Sequence, residues 1–337
     1  MDARVMSLVE GALEGRTIAP DDALFLLGFA ADSAEAAHVC WAADALARRA
    51  SHNTAQIYAQ IGLDATPCPE NCAFCALAAR NAAQRGHERG RAEVPDSEVV
   101  DYARVFDEAG VHLVSLMATA AYDFEHFLDV ARKVRAAVAP DLVIMANIGD
   151  IDAAQACALA DAGVQMAYHA NRIGEGVITD IAPERRLRTL AAIKEAGLAV
   201  MSGVEPVHAG TNPRDVVSKM YEVIALEPYC AGVVALTAVE GTDMGDCTPI
   251  SRKRALFMAS IMRLAAGTSI PFGTGGRNAV WTDSGTNPRG RNLSTNPDFL
   301  RRDVARLRKE LRGQEWHVPE RGRTDNGQSS HEAQANA

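Results

Sequence analysis

From about position 56, short apolar runs alternate with amphipathic stretches at a spacing of roughly thirty residues. The apolar runs Gln56–Leu63, His112–Met117, Leu142–Asn147, Val164–His169, Ala199–Val204, Gly232–Thr237 and Ile270–Thr274 predict β-strands. Between them, apolar residues at helical spacing predict helices over Asp96–Asp107, Phe124–Val138, Asp152–Ala162, Pro183–Ala196, Pro213–Leu226 and Ser251–Ala266. Asp152 and Asn212-Pro213 supply cap and first-turn signals, and Gly110, Gly163 and Gly197 suit left-handed helix ends. An acid-Ala-Gly ending recurs at these three glycines, a weak internal repeat of one βα unit. Seven or eight such units predict an α/β fold, a TIM-type (βα)8 or near-complete barrel, over residues 53–312.

Residues 1–52 read as an N-terminal helical extension. Val5, Leu8, Val9 and Leu13 have helical spacing, Pro20-Asp21-Asp22 is a helix start, and Cys40 falls on a third helix as a buried structural thiol. Residues 313–337 are polar and poor in apolar side chains, which predicts a disordered tail.

Composition narrows the function. At 337 residues, 48% hydrophobic and 23% charged, the chain suits one barrel-sized domain or two smaller ones. A net charge of −9 and a pI near 5.5 argue against DNA or RNA as substrate. No apolar run is long enough to span a bilayer, so no membrane partner is expected. Met1-Asp2-Ala3-Arg4 lacks the basic and apolar regions of a signal peptide. Seven cysteines, an odd and mostly isolated set, suit a reducing compartment, and the cytoplasm is the expectation.

Three of those cysteines, Cys68, Cys72 and Cys75, stand as C-x3-C-x2-C in the loop after the first strand. Three thiolates can hold three irons of a 4Fe-4S cubane and leave the fourth iron open. Structural zinc usually takes four protein ligands, and no second C-x2-C pair or H-x3-5-H follows; zinc or a chance cluster of buried thiols is the alternative.

The stretch Pro67-Cys68-Pro69-Glu70-Asn71-Cys72-Ala73-Phe74-Cys75 closely resembles the cluster loop of the radical S-adenosylmethionine (SAM) superfamily, and its opening looks most like biotin synthase. The resemblance covers about residues 55–312 and is strongest at the loop and at 177–203. It implies that Cys68, Cys72 and Cys75 bind the cluster, that Phe74 is the aromatic residue before the third cysteine, and that SAM chelates the open iron. It further implies that Ala118 and Thr119, in small residues that replace a glycine-rich turn, meet the amino group of SAM. Asn171, in Tyr168-His169-Ala170-Asn171-Arg172, would touch the ribose, with Ile173 in place of an aspartate whose contact is lost or passes to Glu175. Arg186 would pair with the SAM carboxylate, a role suited to a planar guanidinium. Glu205, in Met201–Gly210, stands near the adenine position. Glu205 and His208 are the candidate acid and base, with simple hydrogen bonding as the alternative, and Cys247 is a candidate substrate-side thiol. His169 reads either as a proton carrier or as a structural histidine.

One departure bears on the reaction. Biotin synthase holds a second, 2Fe-2S cluster in its barrel floor as sulfur source. Matching the strands puts Leu116, Met145 and Met201 at its cysteine positions, and Phe272 or Arg277 at its arginine. Leucine cannot be a thiolate and thioether sulfur is a poor substitute, so these residues would line a substrate cavity instead. The expected function is therefore a biotin synthase-like radical SAM enzyme, related to methylornithine synthase and the hydrogenase-cofactor maturases. It would cleave SAM to a 5'-deoxyadenosyl radical that takes hydrogen from a small-molecule substrate, in a rearrangement or a cofactor maturation. The electron donor would be a flavodoxin or ferredoxin. The alternatives are sulfur insertion, as in biotin or lipoyl synthesis, and a non-catalytic Fe-S electron-transfer protein. The oligomeric state is not readable from the sequence.

Overall fold

The computed structural model describes residues 1–84, 93–285 and 296–321. Its strands are β1 (Gln56–Gly62), β2 (Leu113–Met117), β3 (Val143–Asn147), β4 (Met166–Tyr168), β5 (Ala199–Val207), β6 (Cys230–Ala235), β7 (Phe272–Gly273) and β8 (Ala279–Gly285). They form one eight-stranded sheet in the order β7-β6-β5-β4-β3-β2-β1-β8, with every paired neighbour parallel. Between consecutive strands run α4 (Ala79–Gln84) and α5 (Asp96–Glu108), then α6 (Phe124–Ala137), α7 (Ala153–Asp161), α8 (Pro183–Glu195), α9 (Pro213–Ala225) and α10 (Arg252–Ala266). The chain is thus a nearly closed α/β barrel.

The opening lies between β7 and β8, which do not pair. β7 reaches only the first two residues of β6, through Cys230↔Phe272 and Ala231↔Gly273. No helix separates β7 from β8. The turn between them is held from behind by Arg263 of α10, whose guanidinium donates to the carbonyls of Thr274, Gly273, Ile270 and Gly267. Burial lowers the Arg263 pKa to about 10. Gly275 adopts φ +82°, and a Cβ there would sit 2.7 Å from the Ser260 backbone, so the turn requires glycine. This break in the spacing explains why the patterning predicts seven strands and not β8.

Strand residues alternate between two environments. Ile57, Ala59 and Ile61 face outward into a core shared with Phe106, Phe127 and neighbouring helical residues. Tyr58, Leu113, Met145, Met166, Met201, Cys230 and Phe272 face inward and fill the barrel floor. One expectation is corrected here: Leu116 belongs to the outer core, and the inward residue beside it is Ser115, ladder partner of Gln60 and Met145. Met145, Met201 and Phe272 are inward as expected, and Arg277 is exposed.

The N-terminal helices α1 (Ala3–Leu13), α2 (Pro20–Leu27) and α3 (Ala34–Ala50) share a core with α9, α10 and the outer faces of β5 and β6. They cover the side of the barrel where β7 is short. Cap residues follow the expected chemistry: Asp152 accepts the Gln155 N–H and Asn212 the Arg214 N–H. Gly110, Gly163 and Gly197 all have positive φ.

The last described helix, α11 (Pro297–Gly313), packs on β8 and α5. The chain then closes the barrel bottom. His317 bridges Asn53 and Ala55 through backbone hydrogen bonds, and Trp316 is buried under the Arg48 guanidinium at 4.1 Å. The expected polar tail therefore begins later than residue 313; residues 322–337 lie outside the described residues.

Candidate active site

In a parallel barrel the loops at the C-terminal ends of the strands share one face, whichever helices separate them in sequence. The cysteine loop leaves β1 on that face. Its base is closed by hydrogen bonds from the Cys68 N–H to Leu77 O (2.7 Å) and the Ala79 N–H to Cys68 O (2.9 Å). Asn71, at φ 46°, turns the chain and binds Asp180, while the Ala73 N–H donates to Ile178 O. The segment 174–181 thus braces the loop from outside.

Cys68, Cys72 and Cys75 all line one open pocket, together with Phe74, Ala118, Thr119, Tyr168, His169, Arg172 and Arg186. Burial pushes the Cys72 thiol up to about 11, against the opposing pull of Arg172, and raises Cys68 as well. Thiols that hold their protons this tightly are deprotonated by binding a metal rather than by neutral water. Two further donors at the mouth, Glu70 and His169, are engaged. Glu70 Oε1 accepts from Arg185 at 2.9 Å, and His169 Nε2 pairs with Asp150 Oδ1 at 3.0 Å.

The rim is a chain of alternating charges. Glu205 at the end of β5 lies 3.0 Å from the buried Arg172, whose guanidinium also sits 5.7 Å from the Phe74 ring centroid. Arg172 approaches Glu175, which is 3.5 Å from Arg186; Arg186 donates to Asp150 at 3.2 Å. Asp150 also meets Arg185, which returns to Glu70 in the cysteine loop. Burial works against the Arg172 charge, but Glu205 outweighs it and the pKa is raised. Burial also opposes ionisation of Asp150, but the His169 hydrogen bond and the Arg186 charge lower it to about 2. The His169 pKa is lowered by burial, so the Asp150–His169 contact is a neutral imidazole on a carboxylate.

The expected residues divide in two. Cys68, Cys72, Cys75, Phe74, Ala118, Thr119 and Arg186 meet at the pocket. Thr119 is fixed by Asp64, which accepts its N–H and its hydroxyl at 2.8 and 2.7 Å. Asn171 instead turns to α9, donating to Glu222 at 2.8 Å. Glu205 reaches the pocket only through Arg172. His208 caps its own turn, its Nδ1 accepting the Gly210 N–H, and Cys247 sits in the loop after β6; neither lines the pocket. Glu175 is taken up by the Arg172 N–H and the Thr179 hydroxyl.

No family model matches the chain. Among curated proteins it is similar to the biotin synthase of Zymomonas mobilis, 26% identical over 219 residues, which is 60% of this chain and 64% of that protein. It is 30% identical to the biotin synthase of Chromohalobacter salexigens over 236 residues, 64% of this chain and 61% of that one. The chain thus spans somewhat under two thirds of the length of both. Among solved structures, methylornithine synthase shares the fold with a TM-score of 0.77 at 18% identity, covering 93% of this chain and 97% of that one. The FeFe-hydrogenase maturase HydG of Carboxydothermus hydrogenoformans does so with 0.71 at 15% identity, covering 94% and 79%. The chain is thus similar in sequence to biotin synthases and shares its fold with methylornithine synthase and HydG.

Three residues of this site escape a reading of the sequence. Asp150 gathers His169, Arg185, Arg186 and the Thr189 hydroxyl. Its signal was its place just past a strand end, where barrel chemistry concentrates. Asp64 and Arg172 stand just past the ends of β1 and β4 in the same way, but Thr119 and Glu205, the partners that give them their roles, are distant in sequence.

Proposed function

We propose that this chain is a radical SAM enzyme whose Cys68, Cys72 and Cys75 hold a 4Fe-4S cluster with one iron left for SAM. One observation carries the reading: three thiols line a single open pocket whose nearby carboxylate and imidazole are already committed to Arg185 and Asp150. The donor set fits the group: three soft ligands and, among the described residues, no fourth at the pocket. A reduced cluster with SAM supplies a 5'-deoxyadenosyl radical that takes hydrogen from a small molecule. The residues of the chain bind, orient and shield. Segment 174–181 fixes the cysteine loop, Asp150 orients Arg186 as the candidate partner of the SAM carboxylate, and the barrel wall keeps water from the radical. A flavodoxin or ferredoxin is the proposed electron donor.

A rearrangement or cofactor-maturation reaction is favoured over sulfur insertion from a floor cluster. The inward-facing floor carries one thiol, Cys230, where a second cluster needs several ligands. Anaerobic reconstitution followed by dithionite and SAM should release 5'-deoxyadenosine, with none above background from Cys72→Ala. Equal release from both proteins would remove the reading. About four irons per chain are expected; clearly more would favour sulfur insertion.

A further inference from the structure

Below the charged rim the barrel interior changes character, and the change bears on what the enzyme accepts. Glu205 is the innermost charged residue on the inward faces of the described strands; beneath it the inward positions are neutral. Yet the interior is not sealed. On β5 and β6 the inward residues Gly203 and Gly232 stand side by side, one step above Met201 and Cys230. A Cβ at Gly232 would meet nothing within 4 Å, so Gly232 leaves room within the barrel wall, whereas a Cβ at Gly203 would already touch the Gly232 carbonyl at 3.3 Å. Val234 on β6, beyond the reach of the short β7, and Trp281 on β8 keep 45% and 40% of their surface exposed, an unusual state for large apolar side chains facing a barrel interior. The Trp281 ring packs edge-on to the floor residue Tyr58, with centroids 5.5 Å apart.

One polar group in this space has no partner. The Ser115 hydroxyl is fully buried and makes no hydrogen bond among the described residues. Its residue faces inward at mid-height on β2, beside Gln60 on β1. A buried hydroxyl without a partner is costly, and a ligand that pairs with it recovers that cost.

The geometry points to a ligand subsite inside the barrel, anchored on Ser115 and Gln60 and opened at Gly232, that takes the uncharged end of a small molecule. The ligand carries a neutral hydrogen-bonding group, such as an amide or hydroxyl, and an apolar segment that lies against Trp281 and Val234. A carboxylate or ammonium group would find no counter-charge on the inward strand positions at this depth, since the nearby Arg263 is already taken up by four backbone carbonyls, and would have to stay at the rim, near Arg172 and Glu205. This subsite deepens the radical SAM reading and rests on it for its role as the substrate end.

Saturation-transfer NMR on the anaerobically reconstituted protein tests it, with pentanamide, pentanoate and pentylammonium as separate probes. Pentanamide should bind, and each charged probe at least about tenfold more weakly. Ser115→Ala should weaken the amide by about fivefold. Gly232→Leu, whose side chain grows into the open space, should abolish binding. No amide binding, charged probes as tight as the amide, or unchanged binding in either variant overturns the proposal. Ser115→Ala removes one oxygen and keeps the backbone, so it carries the test should the leucine disturb the barrel. Binding needs no 5'-deoxyadenosine release, so this subsite and the enzyme reading can fail separately.

Discussion

The two ends of the barrel solve opposite problems. The C-terminal face is open and lined with charge: four carboxylates and three guanidiniums alternate from Glu205 to Glu70 around the cysteine loop. The N-terminal face is shut by apolar packing, by the Gln56–Tyr58–Tyr229 hydrogen bonds and by the segment that buries Trp316. The bottom spends its side chains on stability. The top holds buried charges whose desolvation is offset only while every partner is present. The difference shows that this rim is organised for position rather than for stability, since apolar residues of similar volume would pack there at less cost.

Removing a single charge at the top sharpens the contrast most. Arg172→Leu strands Glu205 at the pocket edge and should cost about 3–5 kcal/mol in chemical denaturation. A loss below about 1 kcal/mol would mean that the rim is solvated and the contrast is false.

Acid should instead find the bottom first. Nδ1 of the buried His112 accepts the Ile57 N–H, and its Nε2 faces Pro319 O at 3.1 Å, which joins β1, β2 and the C-terminal segment. Burial lowers its pKa from 6.5 to about 4. The unfolded chain therefore binds this proton more readily, and stability should fall as pH drops from about 6.5 to 4, by on the order of 3 kcal/mol. His112→Gln should flatten that slope in denaturant midpoints measured across the range; an unchanged slope would assign it elsewhere.

The smallest effect belongs to Asp150, whose lowered pKa contributes stability that is present above pH 4. That contribution, on the order of 2 kcal/mol, is lost as pH falls through about 2. Asp150→Asn should thus be less stable than the parent at pH 6, with the gap closing as pH falls from 4 toward 2. A gap that persists at pH 2 would show that shape, not charge, holds Arg185 and Arg186 in place.

The hydrophobic pattern was enough to read seven strands, the six long helices of the βα units and the barrel, because each depends on residues a few positions apart. The cysteine triplet was legible for the same reason: its thiols lie within eight residues. Strand β8 was hidden because no helix precedes it, and Leu116 was placed inward because a one-residue shift in a strand exchanges the two faces. The partners of Arg186, Asn171 and Glu205 could not be read at all. Asp150, Glu222 and Arg172 reach them across loops from different strands and helices.

The sequence by itself therefore determined the periodic elements and the three thiols, since both are written in local spacing. Only the tertiary structure decided which charges neutralise one another at the rim and where the interior is left hollow. Those outcomes depend on which strand ends the barrel brings together, and closure joins residues more than a hundred positions apart, as with Glu70 and Arg185.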